Sequence, residues 1–193
     1  MSEPKNIILV GFMGSGKSVV GRALARLTGR SMVDADAELV RRAGRPISQI
    51  FQEDGETAFR ELERSVIGDL CAQSGKVIAA GGGSFVDPDN RELMLTSGWV
   101  VCLSARPETI LKRISQSPII GDAEGDHRAT NRPVRPLLAG GDPLARIKAL
   151  LAERAEAYAL AHYTIETDDL TPEQVAEMVL ELCRAEEKIE EKN

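Results

Sequence analysis

Cysteine is scarce in this chain, and its three residues, Cys71, Cys102 and Cys183, are odd in number and widely spaced. Each lies in an otherwise apolar helical or strand pattern, so they read as reduced thiols, exclude a disulfide framework and point to the cytosol. Histidine is scarcer still. His127 and His162 have no second ligand at a useful spacing, which excludes a histidine metal pair and leaves both as surface or packing residues. Positive charge is not in excess: the net charge is −6, which supplies no basic field for a phosphate backbone, so no nucleic-acid partner is expected. Long hydrophobic runs are missing too. Charged Glu3 and Lys5 precede a strand-length apolar stretch that glycine then ends, so neither a signal peptide nor a membrane partner is expected. No repeat recurs at a fixed period.

What remains is an ordinary globular composition, 193 residues with 42% hydrophobic and 28% charged content, enough for a substantial core. One domain over residues 1–193 is expected, as a monomer. Its most informative stretch is Gly11-Phe12-Met13-Gly14-Ser15-Gly16-Lys17-Ser18. The preceding Asn6 to Val10 suits a buried strand and Val19 to Leu27 continues at helical spacing, the context in which a G-x-x-x-x-G-K-S run cradles phosphates. Backbone N–H groups and the helix N-terminus would face the β-phosphate, Lys17 would reach the β- and γ-phosphates, and the Ser18 hydroxyl would ligate Mg²⁺. A nucleoside triphosphate is the expected ligand.

Strand-like runs at 7–10, 31–33, 77–80, 99–103 and 163–166 alternate with helix-like stretches at 17–27, 36–43, 46–52, 56–73, 89–96, 107–115, 143–160 and 172–188. That alternation predicts an α/β fold, a parallel sheet covered by helices on both faces. Thr171-Pro172-Glu173-Gln174 predicts a capped helix start, with Gln174 closing a capping box. Residues from about 116 to 142 break the pattern, with little apolar periodicity and with Arg128, Arg132 and Arg135. So long a loop reads as a lid able to exclude water and neutralise phosphoryl charge.

Further candidates follow the strands. Asp34-Ala35-Asp36 ends the second one, placing two carboxylates on one side of an extended chain at the edge where parallel sheets bind ligands. One carboxylate could serve Mg²⁺ and the other an attacking hydroxyl; the competing reading has Asp36 cap a helix starting at Ala37. Arg60 and Glu63, at i and i+3, read alone as a solvated ion pair. Gly81-Gly82-Gly83 follows the third strand and would let backbone donors approach a ligand closely. Arg154, four residues before Tyr158, is unremarkable in isolation. Trp99 and the leucines of 107–115 read as core, and Phe51 and Phe59 as core that could also wall a pocket.

In this order the features resemble the shikimate kinase family, from Ile7 to about Thr167: the phosphate loop, Asp34-x-Asp36, Phe59-Arg60-x-x-Glu63, the triple glycine, Arg135-Pro136-Leu137-Leu138 and Arg154-x-x-x-Tyr158. The resemblance implies a three-layer α/β/α P-loop kinase fold with a five-stranded parallel sheet of order 2-3-1-4-5. It implies transfer of the ATP γ-phosphate to the 3-hydroxyl of shikimate, with Mg²⁺ required. Residues 36–73 would form a substrate-binding subdomain. Gly14, Ser15, Gly16, Lys17, Ser18 and Val19 would hold the nucleotide, with Arg113 stacking on adenine unless it is a plain surface arginine. Ser18 and, through water, Asp34 would hold the metal. Asp36, Arg60, Gly81, Gly82, Gly83 and Arg154 would bind shikimate, Glu63 orienting Arg60. Lys17, Asp36 and Arg135 would be catalytic.

Departures from the family pattern are specific. The lid is long, and its first part, Gly121 to Asp126, is acidic. Either Arg132 or Arg135 could reach the phosphates, the following Leu137-Leu138 favouring Arg135. Glu156-Ala157 replaces the usual Pro-Leu before Tyr158, predicting a more regular helix. Thr167-Asp168-Asp169 stands where an adenine contact is usual, predicting backbone-mediated or weaker base contacts. Two rivals stay open: a kinase of another small acceptor such as gluconate or a nucleoside monophosphate, and a non-catalytic nucleotide sensor.

Overall fold

A computed structural model describes residues 4–116 and 142–190 of the chain. Residues 117–141 of the expected lid, and with them Arg128, Arg132, Arg135 and His127, lie outside the described residues.

Five parallel strands form one sheet: β1 (Asn6–Val10), β2 (Met32–Asp34), β3 (Val77–Ala79), β4 (Gly98–Ser104) and β5 (Tyr163–Glu166). Their order is β2-β3-β1-β4-β5, as the resemblance implies. Each parallel neighbour is reached through helical crossovers: α1 (Lys17–Thr28), α2 (Ala35–Ala43), α3 (Ile47–Glu53), α4 (Gly55–Cys71), α5 (Pro88–Ser97), α6 (Pro107–Gln116), α7 (Pro143–Tyr158) and α8 (Pro172–Glu190).

Why the central strand is apolar at every position from 7 to 10 is visible in the core. Ile8 and Val10 join one buried cluster with Leu39, Val66, Met94 and Leu150, while Ile7 and Leu9 join another with Leu24, Val175 and Val179. Successive side chains of a strand point to opposite faces, so a strand covered on both sides has no polar face to keep. Asn6 is the exception and is fully buried. Its amide donates to Gln73 O at 2.6 Å and accepts from Lys76 N–H at 2.9 Å, tying β1 to the turn before β3.

The expected capping box is present at the start of α8. Thr171 N–H donates to Gln174 Oε1 at 2.8 Å and Gln174 N–H donates to Thr171 Oγ1 at 3.2 Å. Helix α7 runs unbroken to Tyr158, as expected where proline is absent. The three cysteines are free thiols. No helix among the described residues is long and apolar enough to cross a membrane.

The parallel sheet brings all five strand ends to one edge. Gly11 follows β1, Asp34 ends β2, Ala80 and Gly81 follow β3, Ser104 ends β4 and Thr167 follows β5.

Candidate active site

The phosphate loop is built where β1 must turn without rising above its neighbour. Gly11 has φ 127°, and a Cβ there would lie 2.3 Å from Leu103 O, so no side chain fits. Helix α1 then starts at Gly16 with no side-chain cap and no acidic residue in its first turn. By contrast α2, α5 and α7 are capped by Asp34, Asp87 and Asp142. An uncapped helix start keeps its N–H groups and partial positive charge for an anion. Lys17 lies over the mouth of the loop, Nζ donating to Gly11 O at 2.8 Å and Phe12 O at 3.0 Å. The ammonium is thus anchored at the loop's entrance.

One expectation needs correction. Asp34 and Asp36 do not share one side of an extended chain, because β2 ends at Asp34 and α2 begins at Ala35. Nor does Asp36 cap the helix. Asp34 Oδ1 accepts from Asp36 N–H at 3.1 Å and Ala37 N–H at 3.3 Å, so the cap itself converts the strand into helix one residue later. The two carboxylates consequently face different partners. Ser18 Oγ donates to Asp34 Oδ2 at 2.6 Å, whereas Asp36 Oδ1 lies 2.7 Å from where a Cβ on Gly81 would stand.

Arg60 and Glu63 are not a solvated pair. Glu63 is 4% exposed, and its Oε2 accepts from Arg60 Nη1 at 2.8 Å while its Oε1 accepts from Ser84 Oγ at 2.7 Å. Burial works against the Arg60 charge, but the hydrogen bond and the charge of Glu63 outweigh it and hold the guanidinium pKa above the ordinary arginine value. The Arg60 guanidinium also lies 5.2 Å from the Phe59 ring centroid, and Phe51 packs on Phe59 at 4.4 Å.

A second arginine reaches the same turn from α7. Arg154, 7% exposed, donates from Nη1 to Gly82 O at 3.1 Å and sits 5.5 Å from the Phe12 ring centroid. Tyr158 OH donates to the same carbonyl at 2.5 Å, and burial pushes its phenol up to about 12. The triple glycine is where these groups meet. A Cβ on Gly82 would be 3.3 Å from Met13 N, and one on Gly83 would be 3.4 Å from Arg60 Nη1, so the bare backbone lets the phosphate loop and both arginines close on it.

Arg113 is neither a plain surface arginine nor free to roam. Its Nη1 donates to Thr167 Oγ1 at 2.9 Å and its Nη2 to Thr167 O at 2.5 Å. Thr167, 3% exposed, has its hydroxyl within hydrogen-bonding distance of Ser104 O at 3.0 Å and Ser15 O at 3.2 Å, which its one proton serves, joining β4, β5 and the phosphate loop. Ser84 and this bridging role of Thr167 escape a reading of the sequence, because single hydroxyls after glycines and strands are too common to signal anything. Arg135, expected among the catalytic residues, lies outside the described residues.

The donor set fits Mg²⁺ in kind. Ser18 and Asp34 present adjacent hard oxygens, and no group of three or more His, Cys, Asp or Glu side chains that could cage a metal exists among the described residues. Magnesium is commonly held by one or two such oxygens together with phosphates and water.

Known proteins that resemble this chain across its length include several of one family. The family model described as shikimate kinase matches residues 13–184. A shikimate kinase of Pelotomaculum thermopropionicum is 36% identical over 186 residues, covering 96% of this chain and 99% of the relative. One from Symbiobacterium thermophilum is 42% identical over 177 residues, covering 91% and 94% respectively. Among solved structures, shikimate kinase from Acinetobacter baumannii in complex with shikimate superposes with a TM-score of 0.82 at 37% identity, covering 95% of this chain and 94% of that one.

Proposed function

The chain belongs to the shikimate kinase family, and from that premise we propose how its residues move the γ-phosphoryl group of MgATP to the 3-hydroxyl of shikimate. The observation that carries this reading is the convergence of Asp36, the Arg60–Glu63 pair and Arg154 on the Gly81–Gly83 turn, directly against the phosphate loop at Met13.

Phosphoryl transfer asks little covalent chemistry of a protein, so catalysis rests on positioning and charge. The loop from Gly14 to Val19 holds the triphosphate, and Lys17 exchanges its loop carbonyls for phosphate oxygens. Ser18 and, through water, Asp34 would hold Mg²⁺, which would neutralise phosphate charge when bound. Arg113, its plane set by Thr167, lies along the nucleotide's base, and Arg135 completes the charge around the γ-phosphoryl. Arg60 and Arg154 take the shikimate carboxylate from two sides, since paired guanidinium groups match a planar carboxylate. Asp36 accepts the hydrogen bond of the attacking hydroxyl, orienting it and receiving its proton, while the glycine turn offers backbone donors to the ring hydroxyls. Residues 36–73 form the acceptor-binding region. The three free thiols support a reducing, cytosolic setting.

A coupled ADP-release assay at saturating MgATP tests the assignment. Asp36→Asn is expected to lower kcat by orders of magnitude with KM for MgATP unchanged, and Arg60→Ala to raise KM for shikimate. Near-normal turnover of Asp36→Asn would falsify the acceptor-activating role.

A further inference from the structure

Ser84 is 1% exposed, in a turn that closes with Ser84 N–H donating to Gly81 O at 3.2 Å. Its hydroxyl donates to Glu63 Oε1 at 2.7 Å. A Cβ added to Gly81 would lie 2.7 Å from Ser84 Oγ, 2.7 Å from Asp36 Oδ1 and 3.3 Å from Glu63 Oε1. Two carboxylates from different helices and one hydroxyl therefore crowd the same glycine. We propose that Ser84 is a positioning residue for substrate binding: its proton fixes the buried Glu63 carboxylate, and Glu63 thereby holds the Arg60 guanidinium in the pose that meets the substrate carboxylate.

An ionised carboxylate only accepts hydrogen bonds, so the Ser84 proton has one direction to point. Each Glu63 oxygen then has a donor, Ser84 on Oε1 and Arg60 on Oε2. With Oε1 stripped of its donor inside the protein, the carboxylate turns to recover a second contact, and the Arg60 fork turns with it. The Arg60 side chain is about one-third exposed; besides Glu63 it has two long hydrogen bonds to Glu56, at 3.3 and 3.4 Å, and the Phe59 ring at 5.2 Å, so the 2.8 Å contact with Glu63 is the shortest that fixes its plane. Sequence neighbours say nothing of this link. Residues 63 and 84 meet only because α4 packs beside the turn after β3.

This inference rests on the assignment of Arg60 to the substrate carboxylate, and its test keeps the two apart. Steady-state kinetics of Ser84→Ala are expected to show KM for shikimate raised about tenfold, with KM for MgATP within about twofold of the parent. Ser84→Cys, which keeps the shape but offers only a weak S–H donor, should fall between. In a Glu63→Ala background the Ser84→Ala change should add nothing, because the residue through which it acts is gone. An unchanged shikimate KM in either Ser84 variant, equal losses for both substrates, or full additivity with Glu63→Ala each overturns the role. Arg60→Ala run beside them separates the cases: no effect there removes the Arg60 assignment itself, whereas a large effect with a silent Ser84→Ala removes only the serine's part.

Discussion

At the scale of single residues, the site is decided by what each side chain faces. Asp34 and Asp36 are two positions apart in sequence, yet one turns to Ser18 and the other to Gly81. The sequence marks both as functional candidates, but their division of labour depends on a cap that starts the helix between them. Gly81 shows the converse. A methyl group there would lie 2.7 Å from both Asp36 Oδ1 and Ser84 Oγ, well inside contact distance. Gly81→Ala is therefore expected to lower kcat at least tenfold and to raise KM for shikimate, with KM for MgATP nearly unchanged. Equal loss toward both substrates in the ADP-release assay would count against the local displacement. Two titratable groups near the site are removed from its pH behaviour by burial, which pushes Cys102 up to about 11 and Tyr158 up to about 12.

Elements were legible in the sequence wherever their ends carry their own chemistry. The start of α8 was readable from Thr171 and Gln174 because both hydrogen bonds of the box close within three residues. The β2 end was not, since a strand-terminal aspartate and a helix cap read alike until the following backbone is known. Helix α8 packs on α1 in the cluster on the face that carries Val20, Ala23 and Leu24, behind the phosphate loop. Thr171→Ala is expected to lower unfolding stability by about 1 kcal/mol, read from a denaturant titration, and to leave kcat and both KM values unchanged. A stability change with altered KM for MgATP would show that the cap also bears on the nucleotide site.

For the molecule as a whole, His162 offers a global readout. β5 begins at Tyr163, and His162 Nδ1 accepts from Val100 N–H at 2.9 Å, extending the β4–β5 contact by a side chain. Burial, and then the charge of Lys5, hold its pKa below the ordinary 6.5, while Glu186 acts in the opposite direction. The folded protein thus keeps His162 neutral where the unfolded chain takes up a proton. Its contribution is present in full above about pH 6.5 and is lost as the pH falls through the depressed folded value. The denaturant midpoint of the parent should drop more between about pH 7.5 and about pH 5 than that of His162→Asn; parallel curves would sink this assignment.

Sequence by itself determined the phosphate-loop motif with its strand and helix, and the alternation of strands and helices. Those rest on local causes: glycines that allow a tight turn, a lysine and serine placed by one helical start, and apolar runs of strand length. It also supplied, through resemblance, the residues proposed for the acceptor, but not their geometry. Tertiary structure alone decided that Glu63 is buried between Ser84 and Arg60, that Thr167 ties Arg113 to the phosphate loop, and that Gly82 lies against Met13. The reason is physical. These contacts join residues far apart in the chain, and they exist only because a parallel sheet delivers the ends of all its strands to one edge, where buried polar groups must find partners.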